Sequence, residues 1–221
     1  SPIYHMGDGD HEVPGPAMAK SEFPNYFDEM QALKQKYAGQ IEVKLAVESD
    51  YIEDLEDHYR ELWSSYDFDY VIGSIHWLGR WNIFRRDLPS GLSAIDVYEK
   101  YLIKTQRAAK SGLFDILGHI DCLKTAGHMP TRDITPLMEE TIKVIAEADV
   151  AIELNTSGWR KPVGECYPGP ELLACCRQYV GSAIHPSIYT DVRMVDMALS
   201  KVYLPRTWLF QPYQVKQVYR S

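Results

Sequence analysis

No apolar run in this 221-residue chain reaches the ~18 residues of a membrane-spanning helix, which argues against a transmembrane protein. Cysteine is scarce. Cys122, Cys166, Cys175 and Cys176 form no C-x-x-C pair, so no disulfide framework is expected and a reducing cytoplasm is the expected compartment. The opening Ser1-Pro2-Ile3-Tyr4-His5 has no basic region followed by an apolar one, so no signal peptide is expected there. Lys and Arg, 23 against 31 acidic residues for a net charge of −8, form no cluster of the kind that lines a nucleic-acid groove. Acidity does not exclude an anionic substrate, because bound metal ions make a site locally positive. A Gly-rich phosphate loop and a G-x-S-x-G elbow are also absent, as are repeats, linkers and low-complexity stretches. One domain over residues 1–221 is the simplest organisation.

What is present is an ordinary globular composition, 45% hydrophobic and 24% charged, in a chain long enough for a full core. Residues 6–19, rich in Gly, Pro, Asp and Glu, are expected to form a loop, as a lid. Helical spacing covers 26–37, and a regular alternation then begins. Strands are expected at 41–47, 70–75, 114–117 and 150–154, with a last one at 207–210. Helices are expected at 54–66, 94–111, 134–148 (capped by Asp133), 170–178 and 193–201, and a long loop at 78–92. Strands alternating with helices imply βα units and a mostly parallel sheet, an α/β fold.

The main chemical signal is positional. Apolar stretches run into Glu48, His76, His119 and His185. In a TIM-like (β/α) barrel such strand ends converge on one mouth. Imidazole and carboxylate are the usual ligands of divalent Zn, Mn and Fe, and ions held this way generate a hydroxide near neutral pH and neutralise phosphoryl oxygens. No side chain stands out as a nucleophile or general acid. Taken singly, each of these histidines is an ordinary hydrogen-bonded residue and Glu48 an ordinary carboxylate; only the pattern speaks for a metal site. His5, His11, His58 and His128 are expected to be solvated.

A second signal is Asn155-Thr-Ser-Gly-Trp-Arg-Lys161, small hydrogen-bonding residues and two cations just after a strand. The planar fork of Arg160 matches phosphate oxygens, with Lys161 and Asn155 beside it. The plainer alternative is a polar loop with a solvated Arg-Lys pair. The same choice applies to Arg80, Arg85 and Arg86. Trp77 and Trp81 either wall a pocket or pack, and Cys175 and Cys176 are expected to be small core residues.

Five segments in order resemble the PHP-domain histidinol-phosphate phosphatases. They are Leu45-Ala-Val-Glu-Ser-Asp-Tyr51, Asp69-Tyr-Val-Ile-Gly-Ser-Ile-His76, Gly112-Leu-Phe-Asp-Ile-Leu-Gly-His-Ile-Asp121, Glu153-Leu-Asn-Thr-Ser-Gly-Trp-Arg-Lys161, and Tyr167-Pro168 ahead of a helix. The resemblance implies a distorted (β/α)7 barrel, a cluster of up to three divalent ions, and hydrolysis of L-histidinol phosphate to histidinol and phosphate in histidine biosynthesis. It makes Glu48 the bridging carboxylate, His76, His119 and His185 metal ligands, and Arg160 a neighbour of the substrate phosphate. The chain departs from the family pattern in two ways. The opening H-x-H strand, a further histidine and an acidic-His pair are missing, so the first βα unit is expected to be absent. In addition, the family's G-S-D-A-H reads Gly181-Ser-Ala-Ile-His185, with Ala183 at the aspartate position. Two other readings therefore stand beside the phosphatase: a non-catalytic relative that binds a metal or phosphorylated ligand, and a PHP phosphoesterase of different substrate. The expected partner is a small phosphorylated substrate, with no nucleic acid and no membrane; a homo-oligomer is left open.

Overall fold

The computed structural model describes residues 3–4, 18, 20–179 and 184–186, with backbone only at 3–4, 20, 177 and 184–186. The expected lid at 6–19, save residue 18, and the expected helix at 193–201 and strand at 207–210 lie outside the described residues, as do His5, His11 and Ala183.

The elements in chain order are β1 (Ile3–Tyr4), α1 (Phe23–Lys36), β2 (Ala46–Asp50), α2 (Glu56–Ser64), β3 (Tyr70–Ser74), β4 (Trp77–Leu78), β5 (Trp81–Asn82), α3 (Ala94–Lys110), β6 (Ile116–Leu117), α4 (Thr135–Glu147), β7 (Ala151–Leu154), α5 (Pro170–Tyr179) and β8 (Ile184–Pro186). Six strands form one sheet in the order β1-β2-β3-β6-β7-β8, every pair parallel. Chain order is sheet order, the signature of successive βα units.

Register sorts the side chains into two faces, because paired residues of a parallel ladder point the same way. Glu48 pairs with Ile72, Asp50 with Ser74, Ile116 with both Ile72 and Ala151, and Glu153 with His185. One face therefore carries Glu48, Asp50, Ser74 and Glu153, and His185 takes a register position on it. The opposite face carries Val47, Val71, Leu117 and Ile152, all buried in the core with Tyr59, Val97, Tyr101, Leu102, Ile142 and Ile145 of α2, α3 and α4. Gly73 lies on this apolar face. A Cβ there would sit 2.4 Å from the Phe114 ring, so only glycine lets that ring close on the strand.

Several local expectations shift. The strand expected at 41–47 runs Ala46–Asp50 instead, which puts Glu48 inside it. Its partner β3 starts only at Tyr70, so residues 41–44 have no ladder to join. Asp69 marks the boundary, receiving the Leu45 amide on its carboxylate at 2.5 Å and donating its own amide to the Leu45 carbonyl at 2.8 Å. The loop at 78–92 contains a tight antiparallel hairpin, β4–β5, turned by Gly79 at a φ of 58°. Asp133 accepts the Thr135 amide at 2.8 Å, while Ile134 occupies the cap position. His128, expected in solvent, is buried: its Nε2 lies 2.7 Å from the Arg85 carbonyl and its ring against Trp81. Among the described residues no helix is long and apolar enough to cross a membrane.

Candidate metal centre

The polar face of the sheet gathers its acidic and imidazole groups at the C-terminal ends of the strands. Glu48 comes from β2, His76 from just beyond β3, and His119 from just beyond β6. Their ligand atoms all lie within 4.8 Å of one another. His119 Nε2 is 3.3 Å from Glu48 Oε1 and 3.3 Å from His76 Nε2. Two imidazole nitrogens and a carboxylate oxygen facing one point form a donor set suited to Zn, Mn or Fe, so the residues present fit a divalent ion.

Two of the three side chains are aimed directly by a neighbour, and the third through its backbone. Asp50, two residues after Glu48 on the same face, is 1% exposed. Its carboxylate oxygens lie 3.1 and 3.2 Å from His76 Nδ1, and Oδ1 also accepts the His76 amide at 2.8 Å. A proton held on Nδ1 by that carboxylate leaves the Nε2 lone pair directed at Glu48 and His119. The Ser74 hydroxyl donates to Glu48 Oε1 at 2.7 Å. Burial by itself raises the Glu48 pKa, but the hydrogen bond and charge of His119, together with Ser74, outweigh it and bring the carboxyl down to about 2. Glu48 is therefore an anion across the whole neutral range.

His119 reaches the cluster by a different route. It follows the short β6 and takes a φ of 27°, an uncommon left-handed conformation for a residue with a side chain. Its amide donates to Glu153 Oε2 at 2.9 Å, which holds the turn in place. The preceding Gly118 has no room for a Cβ, which would sit 2.8 Å from Ser74 Oγ. Glu153 in turn receives the Asn155 side-chain amide at 3.2 Å.

His185 stands in β8 as the register partner of Glu153; only its backbone is described. Asn155 is buried, with its oxygen accepting the Ser157 amide at 2.9 Å and its amide donating to Glu153 of β7, so both ends of its side chain are used. Arg160 and Lys161 are exposed at the end of the 3-10 turn Ser157–Arg160 that follows β7. Arg80, Arg85 and Arg86 are exposed, and Arg85 is paired with Asp87 at 2.8 Å. Trp81 is buried in the core and Trp77 is half-buried. Cys176 is buried, Cys175 packs against the core, and all four cysteines are free thiols. Sequence reasoning passed over Asp50, Ser74 and Glu153; their even spacing from Glu48, His76 and Asn155 along the strands was the available signal.

The PHP domain family model matches residues 6–157. The chain belongs to the PHP domain family. A Deinococcus radiodurans PHP relative, named a probable histidinol-phosphatase, is 36% identical over 187 residues, covering 81% of this chain and 71% of its own length. The histidinol-phosphatase of Bacillus subtilis is 28% identical over 165 residues, 66% of this chain and 62% of its own. This PHP chain also shares the fold of a histidinol phosphate phosphatase from Lactococcus lactis solved with zinc, L-histidinol and phosphate. That match has a TM-score of 0.69 and 19% identity over 87% of this chain and 77% of the other. A chain from Listeria monocytogenes matches with a TM-score of 0.66 and 21% identity over 91% and 85%.

Proposed function

We propose that this chain is a metal-dependent phosphomonoesterase that hydrolyses L-histidinol phosphate to histidinol and phosphate. The observation that carries the reading is the convergence of Glu48, His76 and His119 in a PHP-domain chain. The names of the relatives support the substrate, and the Lactococcus complex supports zinc. His185 is the fourth ligand in this reading, by its register beside Glu153. A divalent ion held by Glu48, His76 and His119 would lower the pKa of water near it and offset negative charge on the phosphoryl oxygens. The protein's own part is orientation. Asp50 sets the tautomer of His76, Ser74 points the Glu48 carboxylate, and Glu153 holds the turn of His119. Arg160, with Lys161 beside it, grips the phosphate of the substrate, and Asn155 shapes the loop that presents them. The phosphorus–oxygen bond of the ester breaks; water contributes oxygen to phosphorus and a proton to the departing alcohol. Four free thiols fit action in the reducing cytoplasm.

Ala183 at the family's aspartate position favours one second reading, a protein that binds metal and phosphorylated ligand without turning it over. Metal content by elemental analysis, on protein purified without chelator, separates the two when paired with phosphate release from L-histidinol phosphate in added Mn or Zn. Bound metal with turnover is the expected result; bound metal without turnover selects the second reading. The Arg160→Ala variant is expected to raise KM for L-histidinol phosphate about 10- to 100-fold, the worth of a hydrogen bond to a charged group. An unchanged KM removes Arg160 from the site.

A further inference from the structure

Lys124 lies outside the metal centre and is 7% exposed. A buried ammonium is costly unless carboxylates and hydrogen bonds surround it, so its partners mark what it is there to hold. Those partners come from two places. Asp121, two residues beyond His119, offers Oδ2 at 2.9 Å. The loop after β7 offers Glu165 Oε2 at 3.1 Å and the Cys166 carbonyl at 2.9 Å. Asp121 Oδ2 also accepts the Gly169 amide at 2.7 Å. The loop closes so tightly here that a Cβ on Gly169 would sit 2.5 Å from the ammonium. The Tyr167 ring lies 5.2 Å from the ammonium, and its hydroxyl is hydrogen-bonded to Thr125 of the same turn as Lys124. Burial alone lowers the Lys124 pKa, but Asp121 and Glu165 outweigh it, so the clamp is charged.

The held segment is the seat of the phosphate-binding candidate. Tyr167 and Asn155 exchange two main-chain hydrogen bonds, 2.7 and 2.8 Å. A Cβ on Gly158 would lie 2.0 Å from the Glu165 carbonyl oxygen and 2.8 Å from the Tyr167 ring. The 3-10 turn Ser157–Arg160 thus rests directly on the residues that Lys124 grips. We infer that Lys124 is a positioning residue that locks the Arg160 loop, residues 155–169, onto the turn that carries His119. It fixes the distance between the phosphate grip and the metal centre. The consequence for catalysis rests on the phosphatase reading of Arg160; the clamp itself does not.

The test compares wild type with Lys124→Met, which keeps the length and apolar stem but removes the charge, and with Glu165→Gln, which loosens one half-exposed arm and leaves the core intact. The readouts are amide hydrogen exchange, inorganic phosphate affinity, zinc content, and KM against kcat on L-histidinol phosphate. In Lys124→Met, exchange at the Asn155, Tyr167 and Gly169 amides is expected to rise about tenfold or more, while the amides of α3 hold. Phosphate affinity falls, KM rises more than kcat falls, and zinc content stays; Glu165→Gln moves the same way by less. Unchanged exchange at those three amides overturns the clamp. So does a loss of protection spread evenly over α3 and the loop with KM and phosphate affinity unaltered, which is what a merely structural lysine would give. If wild type fails to turn over L-histidinol phosphate, the phosphatase reading fails, and loop exchange with phosphate affinity still decides the clamp.

Discussion

The His119→Ala protein is expected to fold and to lose its metal-dependent hydrolysis. Three contributions are removed at once: a candidate imidazole ligand, the partner that brings the Glu48 carboxyl down to about 2, and the ring nitrogen that faces His76 Nε2 at 3.3 Å. Outer partners of metal ligands are worth about 10- to 100-fold in affinity or activity, so loss of a ligand itself is expected to exceed a hundredfold. The fold survives because His119 sits beyond the end of β6 on the polar face, while the packing of α3 on α4 and of the strands on both lies on the apolar face. The backbone hydrogen bond from residue 119 to Glu153 does not depend on the ring. Phosphate release, metal content and a thermal melt on one preparation check all three parts. A variant as active as wild type sinks the metal-centre reading.

The Asp50→Asn substitution is the second large effect, expected at about 10- to 100-fold in metal affinity. Asp50 sits behind one member of the candidate ligand cluster, against Nδ1 of His76, and acts through that ring. Its carboxylate, buried at 1% exposure, orients the imidazole ring and favours the tautomer with the proton on Nδ1. Asparagine is nearly the same shape and still offers one oxygen to the His76 amide and ring, so the strand end is kept while the charge is lost. Competition against a chromophoric chelator measures the affinity, and a melt within a few degrees of wild type shows that the loss is local. Unaltered affinity would mean that His76 is oriented by something other than Asp50.

Much of the candidate site could be read along the chain, and particular residues show where that ended. His76 and His119 stand just beyond apolar strands, and a strand end is a local feature. Glu48 was recognised although its strand was expected to start five residues early, because the carboxylate belongs to the same apolar-polar alternation in either frame. That frame was decided by Asp69 and by the start of β3, a partner more than twenty positions away. His128 went wrong for a related reason. Its Gly- and Pro-flanked surroundings read as a loop in sequence, and its burial comes from Trp81 of β5 and from the Arg85 carbonyl just after it, which fold over it from a distant stretch.

By itself, the sequence determined the alternation of strands and helices, the family, and the candidate ligand types at the strand ends. These depend on periodicity and residue chemistry, which are local properties. The tertiary structure alone decided that Asp50 serves His76, that Ser74 serves Glu48, that Glu153 serves the turn of His119, and that Lys124 ties that turn to the Arg160 loop. Each is a contact between separate strands or loops. Its existence depends on parallel register and on which side chains share a face, and no single stretch of the chain carries that information.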